Sequence, residues 1–344
     1  MLNGEYILYG VFSEIMFLYT NQMLRRLLNL FGIFKEKRPP LTPANSRFRQ
    51  ESHIRDFELE DILIEVAQEF DDINRFKKAA KNISSRLEFN RAKELTRYFH
   101  NNPPEPDTLK SKTSKYGYFG VWMNICQNSV FEILFNYKEQ AIPILYSIGF
   151  GEYDWTQYKA IDVLCRIAID GIQTKKIVKD IGDEILNFRY EAAFPSVESI
   201  SKIPSNEEVQ LILLKVFEEY SKNDPIDGLH ILQLSITNYP DFTKSKLAFI
   251  KNIAQGKGIE NRSPLLDGAV LSIDPEGNEG YFIGGEKIDG NFEETHRVNA
   301  TILYYLLDKR DNDINELMNF WERNIKEDSL RNKIKDLRNQ RTEI

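Results

Sequence analysis

Apolar residues return every three or four positions along most of this chain. Phe57, Leu59, Ile62, Leu63 and Val66 open one such stripe, and Phe70, Ile73 and Phe76 prolong it. That period belongs to an amphipathic α-helix, and it predicts one or two helices over 54–81. Leu87, Arg91, Leu95 and Tyr98 keep the same spacing and predict another helix from Ile83 to His100. Asn101-Asn102-Pro103-Pro104-Glu105-Pro106-Asp107 stops it, because proline has no amide to donate and keeps the residue before it out of helical backbone. A polar stretch continues to Lys115, and the main boundary of the chain is expected there. The organisation that follows is an amphipathic segment over 1–40, a helical region over 53–100 and a helical-repeat domain over 116–344, interrupted at 256–291.

From Tyr116 to about Gln255 helical stripes succeed one another with short breaks, and they are weakly self-similar. Ala160-Ile161-Asp162-Val163-Leu164-Cys165-Arg166-Ile167 lies over Ala193-Phe194-Pro195-Ser196-Val197-Glu198-Ser199-Ile200 at an offset of 33. Gly228, Leu232 and Ser235 repeat the pattern 35 residues later. The following helices match too: Ile177–Ile181, Leu211–Lys215 and Leu247–Lys251, at offsets of 34 and 36. Two helices in each unit of that length is how a helical-hairpin solenoid is written, each hairpin hiding its apolar flanks against the next. Over roughly 120–255 the sequence resembles the HEAT and armadillo repeat class, in its Ala-x-x-x-Leu-x-x-Ile helix and Ile/Leu-rich partner helix. The resemblance implies an all-α, HEAT-like solenoid with a concave binding surface. The period is short for HEAT repeats, and Pro195 falls inside a matched helix.

Beyond Gln255 the pattern changes. Gly256, Gly258, Pro264 and Gly268 mark a loop, and Ala269–Ile273 and Tyr281–Ile283 are short apolar runs around the turn-rich Asp274-Pro275-Glu276-Gly277-Asn278-Glu279-Gly280. This predicts a small β-hairpin or irregular insertion near 265–290. Helices resume over Phe292–Leu307 and Asn315–Ile325. A charged tail helix to about Arg341 has few apolar anchors and is expected to be exposed.

Charge refines the picture. The chain carries a formal −7, unevenly placed: residues 23–120 hold 19 Lys+Arg against 14 Asp+Glu, and residues 121–344 hold 26 against 36. The acidic later part repels phosphates and disfavours nucleic acid. The only two cysteines, Cys126 and Cys165, sit inside apolar helical stripes; they form neither a disulfide framework nor a zinc motif and fit a reducing cytoplasm. Tyr6–Tyr19 lacks the flanks of a signal peptide and is too short to span a bilayer. Leu24, Leu27, Leu28, Phe31 and Phe34, followed by Lys35, Lys37 and Arg38, make an amphipathic helix. It is expected to pack on the rest of the protein, with docking to a partner protein or a membrane surface through residues 1–38 as alternatives.

Motifs for chemistry fail on spacing. From Asp274, Glu279 stands where a calcium loop needs Gly, and Gly285 where it needs Glu. In Gly280–Lys287 a Glu separates the second glycine from the lysine and Ile288 follows, so no phosphate loop forms. Glu293 and His296 make a single Glu-x-x-His, where di-metal sites use two. Neither a metal nor another cofactor is expected. Trp155, Tyr158, Arg189 and Tyr190 cluster at predicted helix starts, along one edge of a stack, and are the candidate binding residues. The expected function is a non-enzymatic scaffold that recognises a protein partner; an accessory role such as a toxin-neutralising or defence-complex subunit is compatible with it. A helical-repeat nucleic-acid-binding protein or DNA glycosylase-like enzyme, and a membrane-surface adaptor through residues 1–38, are the alternatives.

Overall fold

The computed structural model describes residues 55–114, 120–151, 154–260, 292–325 and 328–339, with three short strands between 270 and 287. The amphipathic segment 1–40, the stretch to Ser52 and the acidic loop 274–278 lie outside the described residues. The chain is mainly α-helical. The helices are α1 (Phe57–Ala67), α2 (Ile73–Arg86), α3 (Phe89–Ala92), α4 (Asp107–Thr113), α5 (Val121–Phe135), α6 (Ile142–Gly149), α7 (Gln157–Ile169) and α8 (Thr174–Glu184). They continue with α9 (Tyr190–Ser201), α10 (Glu207–Asn223), α11 (Pro225–Ser235), α12 (Pro240–Lys244), α13 (Leu247–Ala254), α14 (Phe292–Leu307), α15 (Asn312–Asn324) and α16 (Asp328–Asn339). Two compact units divide at Leu213–Leu214, inside α10.

Several helices begin where aspartate can accept from the first free amides. Asp56 takes the Leu59 amide and Asp72 the Asn74 and Arg75 amides. Asp224 takes the Ile226 amide, with Pro225 at the first helical position. Each carboxylate satisfies an amide that has no partner within its helix and meets the positive end of the helix dipole.

The helix expected over Ile83–His100 is broken. Leu87 and Glu88 are extended, and Lys93–Phe99 winds as a 3-10 helix. The Leu87 carbonyl, released from helical pairing, accepts the Tyr137 hydroxyl, while Leu95, Tyr98 and Phe99 are still buried. Helical spacing survives in the sequence because a 3-10 turn also brings every third residue to one side.

In the unit that ends at Leu213, α5 is the central rod, burying Val121, Trp122, Ile125, Cys126, Val130, Phe131, Ile133 and Leu134. On it pack α1, α2 and the 3-10 segment, so helices from either side of 101–106 share one core. The Trp122 indole donates to the Pro103 carbonyl at 2.7 Å and Gln127 to the Phe99 carbonyl at 2.9 Å, which fastens the proline-rich stretch to α5. Next comes α7, in contact with α5, α6, α8 and α9.

Side-chain bonds link positions between 31 and 37 residues apart in sequence. Lys159 reaches Asn128 31 residues back, and Lys138 reaches Asp170 32 ahead. The Arg166–Glu132, Gln173–Glu139 and Tyr146–Asp180 pairs are each separated by 34. Ser199 donates to Asp162, 37 residues back. The segments matched in the sequence, 160–167 with 193–200 and 177–181 with 211–215, fall in α7, α9, α8 and α10. Pro195 is inside α9 and half-buried. At Gly182 an added Cβ would stand 2.5 Å from Ile212 Cδ1, so glycine is what lets α8 and α10 approach.

In the unit from Leu214, α14 packs on α11, α13 and α15. Val298, Ile302, Leu303 and Tyr305 are buried on α14. Gly228 of α11 approaches α10 closely, an added Cβ meeting Ser221 Cβ at 2.6 Å. Short strands β1 (Val270–Ile273), β2 (Glu279–Ile283) and β3 (Glu286–Lys287) pair antiparallel in that order, with Val270 opposite Phe282. The tail helix is not exposed as expected: α16 packs on α15, with Leu330, Ile334 and Leu337 buried and Arg338 paired to Glu322. Those three residues are its apolar anchors, and spacing at i, i+4 and i+7 suffices to seat one face. No helix among the described residues is long and apolar enough to cross a membrane.

Candidate functional site

Three helices of the unit that ends at Leu213 frame an open cleft of about 430 Å³. From α2 come Lys77, Lys78 and Lys81; from α5 and its end, Glu132, Phe135 and Asn136; from α7 and its end, Arg166, Ile169 and Asp170. The α2 lysines share a face because they stand three and four residues apart. Core contacts hold α2 in place through buried Phe76, Ala80 and Ile83, which leaves its lysine face outward.

The anionic groups of the cleft are already engaged. Arg166 donates to both Glu132 oxygens at 2.8 and 2.9 Å, the bidentate fork that guanidinium and carboxylate geometry favours. Lys138 bonds Asp170 at 2.6 Å. Both cations also lie on the Phe135 ring, with Lys138 Nζ 3.3 Å and Arg166 Cζ 3.8 Å from its centroid. The α2 lysines are different. Lys77, Lys78 and Lys81 are exposed, and among the described residues none is held by a carboxylate. Other cations of the same helix are paired: Arg75 with Glu69, Asp71 and Asp72, and Arg86 with Glu65. Like charges four apart repel along a helix, so the lysine stripe costs α2 stability, and among the described residues no carboxylate offsets that cost. Ile169 adds an apolar edge, 43% exposed.

A second hollow, of about 300 Å³, lies between Arg55, Glu60, Arg97, Tyr98 and Asn101–Pro104. Its cations are consumed locally. Arg55 is paired with Glu60, and Arg97 with Glu94 and Asp56. The Arg91 guanidinium beside Asp56 helps hold its carboxyl below the usual range, although burial opposes the shift.

At the other end of α7, Lys159 is buried, and its Nζ donates to Asn128 Oδ1 at 2.7 Å. Burial lowers its pKa to about 7, because a low-dielectric surrounding penalises the ammonium form. Burial also pushes the thiols of Cys126 and Cys165 up, which makes them poor nucleophiles.

The residues singled out from the sequence stand at two helix starts. Trp155 and Tyr158 are half-buried where α7 begins, Arg189 is exposed at the N-cap of α9, and Tyr190 is the first residue of α9. The lysine cleft lies at the opposite end of α7. Glu293 of the Glu-x-x-His pairs with Arg297 at 3.4 Å, and His296 is buried. Among the described residues no group of three or more His, Cys, Asp or Glu stands together as a metal site. The sequence signal for the cleft was Lys77, Lys78 and Lys81 at helical spacing; what it lacked was the position of α5 and α7 beside them. No protein-family model, curated protein or solved structure matches this chain.

Proposed function

We propose that the protein is a non-enzymatic binding scaffold, built from helical hairpins stacked in the HEAT manner, that receives a protein partner in the cleft between α2, α5 and α7. The stacked reading is supported by side-chain bonds between positions 31–37 residues apart, close to the sequence offsets of 33–36. Repeats laid side by side place equivalent positions next to each other, and a solenoid of this kind is used for binding along its surface. The observation that carries the site is the set of three exposed lysines that no carboxylate among the described residues holds, on a helix whose arginines are paired. A surface that keeps like charges together at a cost to its own helix is one shaped for a complementary partner.

The test compares full-length protein with a Lys77→Glu/Lys78→Glu/Lys81→Glu variant in affinity purification from the native host. The expected result is a stoichiometric partner lost from the variant while its circular dichroism and Tm are unchanged. Retention of the same partner by both proteins would refute the site.

A further inference from the structure

The cleft's chemistry points to one kind of occupant. We infer that it binds an acidic peptide segment of the partner protein, with Asp or Glu carboxylates at Lys77, Lys78 and Lys81 and an apolar side chain against Ile169; this rests on reading the cleft as a binding surface.

Charge sets the first constraint. The carboxylates within the cleft, Glu132 and Asp170, are taken by Arg166 and Lys138, so the α2 lysines look outward for their counter-ions. A carboxylate arriving from a partner supplies them, and lysine's mobile ammonium accepts it without a fixed approach angle. The second constraint separates a peptide from a nucleic acid. Single strands are gripped by stacking bases on free aromatic rings beside a charged groove. Phe135 is the aromatic ring lining this cleft, and two cations already cover it at 3.3 and 3.8 Å. A long polyanion would also run onto the part of this same unit, residues 121–213, that holds 13 Asp+Glu against 8 Lys+Arg. Surface charges are screened beyond about 8 Å at physiological salt, so a short acidic segment confined to the cleft meets mainly the lysines. The third constraint is Ile169, exposed and lining the same cleft as the lysines. It offers an apolar contact that a peptide side chain can fill and a phosphate cannot.

The experiment uses the full chain and three probes: a fluorescein-labelled Glu/Asp-rich peptide with interspersed leucines, a labelled single-stranded oligonucleotide of equal charge, and inorganic phosphate as competitor. The peptide is expected to bind by anisotropy and to weaken as salt rises from about 0.05 M to about 0.5 M. Lys77→Gln/Lys78→Gln/Lys81→Gln should raise its Kd about tenfold, the sum of three exposed ion pairs. Lys93→Gln/Lys175→Gln should leave it unchanged. Equal peptide affinity in the triple variant overturns the proposal. So does tighter, lysine-dependent binding of the oligonucleotide, or displacement of the peptide by phosphate at equal concentration. If the peptide fails to bind yet charge reversal of the same lysines still releases the co-purified partner, the acidic occupant is wrong and the cleft stands. If charge reversal releases nothing, the binding-surface reading falls with it.

Discussion

Two cations of α7 reach across the same interface to α5, two helical turns apart. Arg166 meets Glu132 through two hydrogen bonds, and Lys159 meets the neutral amide of Asn128 through one. Their partners, Asn128 and Glu132, stand one turn apart on α5, so the two rungs bridge the same pair of helices and differ in chemistry. A guanidinium does not shed its proton in a protein, so a half-buried arginine needs a carboxylate. An amine can shed its proton, and the buried Lys159 does so near pH 7. The interface thus carries one rung held by charge and one whose charge depends on pH.

The comparison can be broken most forcefully at the charged rung. Glu132→Ala leaves Arg166 without its carboxylate and should lower stability by about 2–3 kcal/mol, read from urea unfolding at neutral pH. An unchanged midpoint would mean that the rung is ornamental.

Lys159→Met should act in the opposite direction, raising stability by about 1–2 kcal/mol at pH 7, because the amine no longer gives up protonation on folding. The sign follows from linkage. The folded-state value of about 7 lies below the ordinary 10.5, so between those pH values the unfolded chain binds more protons than the folded one. The contribution of Lys159 to stability therefore rises with pH across that window, while the raised thiols of Cys126 and Cys165 oppose it at the alkaline end. In the Met variant this rise should vanish; its persistence would assign the slope to another group.

Asn128→Asp converts the neutral rung into the charged kind. It should restore the lysine's affinity for its proton and flatten the same pH window, with a change at pH 7 of about 1 kcal/mol or less. A slope as steep as the native one would show that the new carboxylate does not reach Lys159. The smallest effect belongs to the cleft nearby. Neutralising Lys77, Lys78 and Lys81 to Gln should shift stability by no more than about 0.5 kcal/mol, upward if relief of like-charge repulsion dominates. Thermal unfolding gives the sign, and a large loss would make the lysines part of the fold.

Helix positions were legible because burial of one face imposes a 3.6-residue period on the sequence. Phe292–Leu307 emerged with the bounds the structure gives. The break at Leu87 was not legible, because the partner that satisfies the freed carbonyl, Tyr137, lies fifty residues on. The anchoring of α16 was missed for a related reason. Leu330, Ile334 and Leu337 look sparse among charges, and only a receiving surface on α15 makes them enough.

By itself the sequence determined most of the helical segments and the faces they bury, with an offset of 33–36 residues between like segments, since these follow from local periodicity and side-chain volume. It held the three lysines of α2 in plain view. Tertiary structure decided which cations find carboxylates, which lie in low dielectric and which face a cleft beside α5 and α7. Those outcomes depend on distances between residues far apart in the chain, and Coulomb energy and desolvation respond to distance in space, not to separation in sequence.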